Sequence, residues 1–220
     1  MNHISELAQL GTSTWLDDLS RERLVSGNLK EIISTKSIVG VTTNPAIFAA
    51  AMTNGTAYDA ELATLKESKA SADEAVYALA IEDVQNACDL FADIYSSTDG
   101  ADGRVSIEVD PRISDDPTAT LEQARELWSK VDRPNVMIKI PATTGSLPAI
   151  EDALAEGISV NVTLIFSVER YRAVIEAFRT GLKRAAESGK DVATIHSVAS
   201  FFVSRLDTEV DKRLEAIGSE

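Results

Sequence analysis

Short apolar segments alternate with longer amphipathic segments along most of this chain. Runs rich in Val and Ile are typical of buried strands, and apolar residues that recur every three to four positions predict helices. The pattern predicts six strands, over residues 13–17, 38–42, 104–110, 135–140, 158–164 and 192–200. It predicts helices from Ile4 to Gly11, over 18–35 with an interruption at 26–28, two or three within 45–97, and over 117–130, 147–156, 167–188 and 203–217.

Several helix ends carry recognisable local signals. Ser71 followed by Glu74 is a capping box, in which each side chain satisfies an amide of the first turn. Asp116 and Pro117 are typical of an N-cap and a first helical position. Ser167 is a second candidate N-cap, and Gly157 is placed to end a helix in the left-handed conformation.

The alternation of strand and helix defines the fold class. Six strands separated by helices predict parallel strands with right-handed helical crossovers. Two α/β architectures fit this pattern, an open doubly wound sheet and part of a (β/α)8 barrel. A Gly-rich phosphate loop follows none of the predicted strands, which argues against the nucleotide-binding version of the open sheet. The chain length predicts one domain over residues 1–220.

Composition narrows the classes of partner. The 220 residues are 44% hydrophobic and 25% charged, which is enough for one large core. The net charge is −14 and no run of Lys and Arg is present, so a nucleic-acid or anionic-membrane partner is not expected. An anionic substrate would therefore need a few locally placed cationic groups.

Cysteine and histidine are too scarce for several kinds of site. One cysteine, Cys88, excludes a disulfide framework and a cysteine metal cluster, and two histidines, His3 and His196, exclude a histidine-rich metal site. No apolar run reaches the length of a membrane span, and the N-terminus lacks a signal-peptide pattern. The sequence predicts a cytoplasmic protein.

A lysine inside the apolar segment 136–143 is the first candidate for chemistry. Lys139 follows Val, Met and Ile and precedes Pro141 by two residues, as at the end of a buried strand. Partial desolvation there favours the neutral amine, which is the form that attacks a carbonyl to give a Schiff base. The alternative is a lysine whose stem packs while its ammonium group reaches water.

Polar residues recur at alternate positions near the C-terminal ends of five predicted strands. Alternate residues of a strand share a face. In the strand 104–110, for example, Ser106, Glu108 and Asp110 lie opposite the apolar positions. In a barrel the polar face points inward, and the C-terminal strand ends form the active-site face. Six polar side chains are predicted to converge there: Asp17, Asn44, Glu108, Lys139, Asn161 and Thr163.

Each of these residues also has a purely structural interpretation. Asp17 fits the N-cap of the helix that follows it. Asn44 is typical of a turn before proline. Glu108 fits a solvated strand residue, and Asn161 and Thr163 fit ordinary filling of a barrel. As a set drawn from five strands, they favour a shared functional site.

Four motifs in this order resemble the transaldolase family. They are Thr42–Pro45, Ile107–Arg112, Ile138–Thr143 and Asn161–Ser167. The segment Trp15–Arg21 resembles the longer bacterial branch of that family. The resemblance extends over essentially the whole chain.

The resemblance implies a (β/α)8 TIM barrel of the class I aldolase type. It implies transfer of a dihydroxyacetone unit from sedoheptulose 7-phosphate to glyceraldehyde 3-phosphate, which gives erythrose 4-phosphate and fructose 6-phosphate. This is a reaction of the non-oxidative pentose phosphate branch. Its substrates are sugar phosphates, and it needs neither a metal nor an organic cofactor.

The resemblance also assigns residue roles. Lys139 corresponds to the Schiff-base nucleophile, Glu108 to an acid/base group that acts through a water, and Asp17 to the group that takes the proton of the C4 hydroxyl. Four positions correspond to residues that hold the catalytic water and the dihydroxyacetone hydroxyls: Thr42, Asn44, Asn161 and Thr163.

The segment 200–205 resembles the phosphate-binding loop of the family. Ser200 corresponds to a serine that holds substrate, and Arg205 corresponds to a phosphate-binding arginine. An arginine fork near a helix start is suited to a phosphate. Phe201 and Ser204 depart from the proline and glycine that are usual in the family.

The number of strands departs from the family barrel. Eight strand–helix units are expected and six are predicted, so the chain is expected to lack the last two and to self-associate through open sheet edges. Two alternatives to a transaldolase stay open. One is an aldolase that releases dihydroxyacetone, although such compact relatives carry an amide where this chain has Glu108. The other is a catalytically silent fragment.

Overall fold

Parallel strands connected by helices account for most of the structure. The computed structural model describes residues 3–44, 48, 52 and 56–218. Pro45, predicted to end the second strand, and most of the predicted helical stretch 45–55 lie outside the described residues. Strands that are hydrogen-bonded neighbours follow chain order, β1-β2-β3-β4-β5-β6. This order fits a (β/α) barrel and excludes a doubly wound sheet, in which the strand order reverses at a switch point.

Two compact units divide the chain, residues 1–109 with 124–138 and residues 110–123 with 139–220. In the first unit, β1 pairs in parallel with β2, and β2 pairs in parallel with β3. Its elements are α1 His3–Gln9, β1 Trp15–Leu16, α2 Arg21–Val25, α3 Asn28–Lys36, β2 Gly40–Val41, α4 Asp59–Glu67, α5 Ala72–Ser97 and β3 Arg104–Glu108.

The boundary between the units passes through α6 Pro117–Val131 and β4 Val136–Pro141. The second unit contains α7 Leu147–Ala155, β5 Val160–Ile165, α8 Val168–Glu187, β6 Ser197–Phe201 and α9 Val203–Ile217. Its strands β5 and β6 are parallel. Among the described residues, no helix combines the length and apolar character needed to cross a bilayer.

Helix α5 organises the core of the first unit. Leu79, Val84 and Phe91 are almost completely buried along one side of this 26-residue helix. The buried amide of Asn135 donates to the carbonyl of Cys88 at 2.9 Å and to that of Gly103 at 2.7 Å. One side chain therefore links α5 to the starts of β3 and β4.

The local signals at helix ends were predicted correctly. Ser71 and Glu74 form the capping box of α5, Asp116 accepts from the amides of Thr118 and Ala119, and Ser167 caps α8. Gly157 has φ 88° just after α7. The predicted interruption at 26–28 is also confirmed, because Gly27 at φ 76° separates α2 from α3.

All predicted strands except the fourth are longer than the observed ones, and local side-chain contacts explain the difference in the sixth and the third. Residues 192–194 form a 3₁₀ turn, and β6 begins only at Ser197. The Asp191 carboxylate accepts from the amide of Ala193 at 3.0 Å and thereby favours the turn. The third strand ends at Glu108, because Asp110 caps the next 3₁₀ turn through the amide of Arg112 at 2.8 Å.

A bulge interrupts β5 near its C-terminal end. Val162 pairs with Ala199 and Ile165 pairs with Phe201, so three steps along β5 match two steps along β6. Leu164 lies in the extra step with φ 60°. A bulky residue at positive φ is a backbone outlier that costs roughly 1–2 kcal/mol. Bulges of this kind re-aim side chains and are frequent beside active sites.

The strain at Leu164 predicts an inverted order of stability for two variants. Leu164→Gly and Leu164→Ala both lose the leucine packing, but only glycine adopts positive φ freely. We therefore expect Leu164→Gly to exceed Leu164→Ala by about 1 kcal/mol in the free energy of unfolding measured in urea.

The matched control for this comparison is Ala199→Gly in β6. Glycine in a regular strand lowers stability by roughly 0.5–1 kcal/mol relative to alanine. A Leu164→Gly variant that is no more stable than Leu164→Ala would show that the backbone at this position carries no strain.

A row of apolar side chains is exposed along α9. Its members recur at helical spacing, and the least exposed of them, Val210, is 43% exposed: Val203, Leu206, Val210, Leu214 and Ile217. Single exposed apolar residues are ordinary, whereas a contiguous row is typical of a contact surface or an association site.

We expect the 220-residue chain to self-associate through this row. Replacing Leu206 and Leu214 by glutamate should lower the average mass measured by light scattering after size-exclusion chromatography. The control variant carries Thr208→Glu and Lys212→Gln, which add the same charge on the opposite side of the helix. A wild-type chain that stays monomeric at all concentrations would contradict this expectation.

Candidate active site

In the first unit, Asp17 and Thr42 directly follow β1 and β2, whose last residues Leu16 and Val41 are paired. The amide of Thr42 donates to the carbonyl of Leu16 at 2.9 Å as part of that pairing. Asp17 is exposed and Thr42 is half-buried. The N-cap interpretation of Asp17 is wrong, because Ser20 precedes α2 and its hydroxyl accepts from the amide of Arg23. The Asp17 carboxylate, at the carboxyl end of β1, is therefore not the cap of α2.

Glu108 is the last residue of β3 and is only 9% exposed. Its burial contradicts the interpretation as a solvated strand residue. The hydroxyl of Tyr77 in α5 approaches the backbone carbonyl of Glu108 at 3.4 Å. Helix α5 therefore contacts the end of β3 at the residue that carries this carboxylate.

Asn44 lies two residues beyond Thr42 and is half-buried. Its backbone carbonyl accepts from the amide of Phe48 at 3.1 Å. The turn chemistry predicted for this position stays a prediction, because Pro45 lies outside the described residues.

In the second unit, Lys139 is buried within β4 and is 4% exposed. The alternative in which its ammonium group reaches open water is therefore wrong. The amide of Ala142 donates to the carbonyl of Thr163 at 2.8 Å, which joins the end of β4 to β5. A regular parallel ladder counted back from this bond places Lys139 level with Asn161.

The polar residues of β5 and β6 form a small buried group. Asn161 is 2% exposed and Thr163 is 1% exposed. The hydroxyl of Ser200 donates to the Oδ1 atom of Asn161 at 2.8 Å. The Oγ1 atom of Thr163 is buried without a hydrogen-bond partner among the described residues. An orphaned buried hydroxyl is uncommon and fits a position that a ligand would satisfy.

Arg205 lies in the first turn of α9 and is exposed. Its guanidinium carbon stands 4.4 Å from the ring centroid of Phe202, as in a cation–π contact. The ring of Phe202 lies 6.0 Å from that of Phe166, at the end of β5. An aromatic pair therefore holds the arginine close to the start of a helix, which suits recognition of an anion.

Each unit therefore brings part of the predicted set together. The first unit carries Asp17 directly after β1, Thr42 and Asn44 just after β2, and Glu108 at the end of β3. The second unit groups Lys139, Asn161, Thr163 and Ser200 on β4, β5 and β6, with Arg205 on the following helix.

The loop after β4 is fixed by contacts that the local sequence pattern did not predict. The hydroxyls of Thr143 and Ser146 both donate to the carbonyl of Ser114, and the Ser146 bond is 2.6 Å long. The amide of Ser146 donates in turn to Thr143 at 3.0 Å. These partners are about thirty residues apart in the chain, so no local signal could have revealed them.

Comparison with known proteins places the chain in a family. Residues 14–220 match the Transaldolase/Fructose-6-phosphate aldolase family. A transaldolase of Kocuria rhizophila is 60% identical over 214 residues, which cover 97% of this chain and 58% of the relative. One of Mycolicibacterium smegmatis is 59% identical over 218 residues, covering 99% of this chain and 59% of the relative. One of Mycolicibacterium paratuberculosis is also 59% identical over 218 residues, covering 99% and 58% respectively.

The chain thus spans slightly less than three fifths of the length of these relatives. Strand order, the buried lysine of β4 and the family match all agree with the resemblance found in the sequence. The chain belongs to the transaldolase/fructose-6-phosphate aldolase family.

Proposed function

We propose that this chain carries the catalytic residues of a transaldolase that transfers a dihydroxyacetone unit from sedoheptulose 7-phosphate to glyceraldehyde 3-phosphate. The products are erythrose 4-phosphate and fructose 6-phosphate, in the non-oxidative pentose phosphate branch of the cytoplasm. The observation that carries the proposal is the burial of Lys139 in β4, level with Asn161, in a chain of this family.

The first step is covalent. The amine of Lys139 attacks the C2 carbonyl of the donor, and the resulting carbinolamine loses water to give an iminium ion. Glu108 supplies and removes the protons of this step through a water molecule. Its burial at the end of β3 shields this carboxylate from bulk solvent, which suits a group that exchanges protons with one positioned water.

The second step breaks the carbon–carbon bond. Asp17 takes the proton of the C4 hydroxyl, the C3–C4 bond breaks, and its electron pair moves into the iminium to form an enamine. Erythrose 4-phosphate leaves as the aldehyde. The enamine then attacks the aldehyde carbon of glyceraldehyde 3-phosphate, Asp17 returns the proton to the new hydroxyl, and hydrolysis of the imine frees Lys139.

The remaining residues hold the substrate. Thr42, Asn44, Asn161 and Thr163 bind the catalytic water and the hydroxyls of the dihydroxyacetone unit, and the orphaned hydroxyl of Thr163 supports this role. Ser200 also holds the substrate, and Arg205 binds its phosphate. Because the chain has a net charge of −14, the guanidinium group of Arg205 is needed to attract the anionic end of the substrate.

Covalent trapping tests the nucleophile. Borohydride with fructose 6-phosphate should leave a stable adduct on Lys139, located by peptide mapping, and Lys139→Ala should abolish both adduct and turnover. Lys130→Ala is the matched control, because Lys130 is exposed and paired with Glu126 at 2.6 Å. An adduct on another lysine would overturn the assignment, and a chain that forms no adduct would support the alternative of a silent fragment.

Substitutions of the two carboxylates, Glu108 and Asp17, should slow different steps of the reaction. Glu108→Gln should slow both formation and hydrolysis of the imine, whereas Asp17→Asn should form the imine but slow carbon–carbon cleavage by about 10²- to 10⁴-fold. Rapid-quench assays of adduct formation and aldehyde release measure the two steps separately.

Asp18→Asn is the control for Asp17, because Asp18 is the neighbouring carboxylate and its partner is Arg23. Cleavage at the wild-type rate in Asp17→Asn would remove Asp17 from the mechanism. Release of free dihydroxyacetone without transfer would instead indicate the aldolase alternative.

A further inference from the structure

A partly buried ionic cluster surrounds the start of α2, four residues after Asp17. We call it the Arg21 cluster, and its members are Arg21, Tyr58, Glu61, Glu82 and Asp83. Arg21 is the first residue of α2 and is only 6% exposed, while Asp83 in α5 is completely buried. The mechanism proposed above uses none of these residues.

The cluster holds Arg21 by both its backbone and its side chain. The amide of Arg21 donates to the hydroxyl of Tyr58 at 2.9 Å, and that hydroxyl donates to Oδ2 of Asp83 at 2.7 Å. The Nε atom of Arg21 donates to Oδ1 of the same carboxylate. These three hydrogen bonds close a ring that joins the start of α2 to α5 and to the residue just before α4.

The guanidinium group has further acidic neighbours. Its Nη1 atom donates to both oxygens of Glu61 at 2.6 and 2.5 Å, and its Nη2 atom lies 3.2 Å from Glu82. Burial alone lowers the pKa of Arg21, but the hydrogen bonds and charges of Asp83, Glu61 and Glu82 together raise it above the ordinary value. Burial raises the pKa of Asp83, and the bonds from Arg21 and Tyr58 oppose that rise.

Stability alone does not account for such an arrangement. Replacing a buried ion pair with packed apolar side chains is often neutral or stabilising, whereas directional hydrogen bonds specify one geometry. The geometry specified here is the entry of the chain into α2. The Ser20 cap of this helix is long, at 3.4 Å, so the bond from the amide of Arg21 to Tyr58 supplies a second anchor.

The anchored segment contains Asp17. On one side, Leu16 is fixed by the ladder with β2. On the other side, Leu19 is completely buried and Arg21 is held by the cluster. Between these fixed points Asp17 is exposed, whereas the neighbouring Asp18 carboxylate is paired with Arg23.

We propose that Tyr58, Arg21 and Asp83 are positioning residues that fix residues 17–20 and thereby aim the Asp17 carboxylate at the substrate hydroxyl. The inference rests on the proposed function, because it assigns to these residues the cleavage step and not the imine step. The attack by Lys139 does not use the loop that they hold.

The test compares two rates in Tyr58→Phe, which removes one hydroxyl and retains the ring. Borohydride trapping of fructose 6-phosphate on Lys139 should keep its wild-type rate. The single-turnover release of glyceraldehyde 3-phosphate should fall by about 10- to 100-fold, the loss expected from a misplaced catalytic group. Arg21→Lys, which keeps the charge but loses the fork, should show the same split.

The control is Tyr95→Phe in α5, the helix that carries Asp83, in a tyrosine that contacts Arg104 at the start of β3. It should leave the ratio of cleavage to trapping unchanged, whatever its effect on stability. The double variant Asp17→Asn with Tyr58→Phe should cleave no more slowly than Asp17→Asn alone, because both changes act on one group.

Hydrogen exchange provides a readout that does not depend on turnover. In Tyr58→Phe, exchange should accelerate at the amides of residues 17–22 and stay unchanged in β4 and β5. Equal losses of trapping and cleavage, or additive losses in the double variant, would overturn the inference while leaving the proposed function intact. Absence of any adduct in the wild-type chain would overturn the proposed function and this inference with it.

Discussion

Parallel pairing of strands is the constraint on which the arrangement of polar residues depends. When consecutive strands run the same way, their carboxyl ends share one edge, and residues level with one another in the ladder share a face. Leu16, Val41 and Val105 are level in the first unit, and Asn161 and Val198 are level in the second. Residues far apart in the chain become neighbours because of register alone, without any direct attraction between them.

Helix α5 contacts several of the segments that lie at the ends of the strands in the first unit. It contacts the carbonyl of Glu108 through Tyr77 and the start of α2 through Asp83, six residues further along. Five residues beyond Asp83, the carbonyl of Cys88 accepts from Asn135 just before β4. One helix therefore contacts the end of β3, the start of α2 and the entry into β4, so its packing is coupled to the segments that carry Glu108 and Asp17.

Features governed by neighbouring residues could be predicted from the sequence. The capping box at Ser71, the N-caps at Asp116 and Ser167 and the helix end at Gly157 depend on chemistry within a few positions. The strand predicted from residue 192 failed for the same kind of reason, because Asp191 accepts a bond from Ala193 and starts a turn. An apolar pattern does not report such a competing side-chain contact.

Features governed by distant residues could not be predicted. Arg21 meets Tyr58 and Asp83 across 37 and 62 positions, and nothing near Asp83 distinguishes it from a solvated residue of a helix. The residues of the candidate site could be predicted from the sequence, because they lie at the ends of successive strands and within the family motifs. Its supporting contacts depend on which helices meet, and that is settled only by tertiary packing.

The bulge in β5 adds one residue to the strand and thereby reverses the alternation of side chains between its two faces. Asn161, Thr163 and Ile165 have the same parity, yet the first two are polar and Ile165 is apolar and 1% exposed. The extra residue at Leu164 changes which face the later positions occupy. The strand can thus present polar groups up to Thr163 and return to core packing at Ile165 without breaking its ladder. Deleting one residue here would restore the simple alternation, so the positions beyond it would exchange the polar face for the core-packing face.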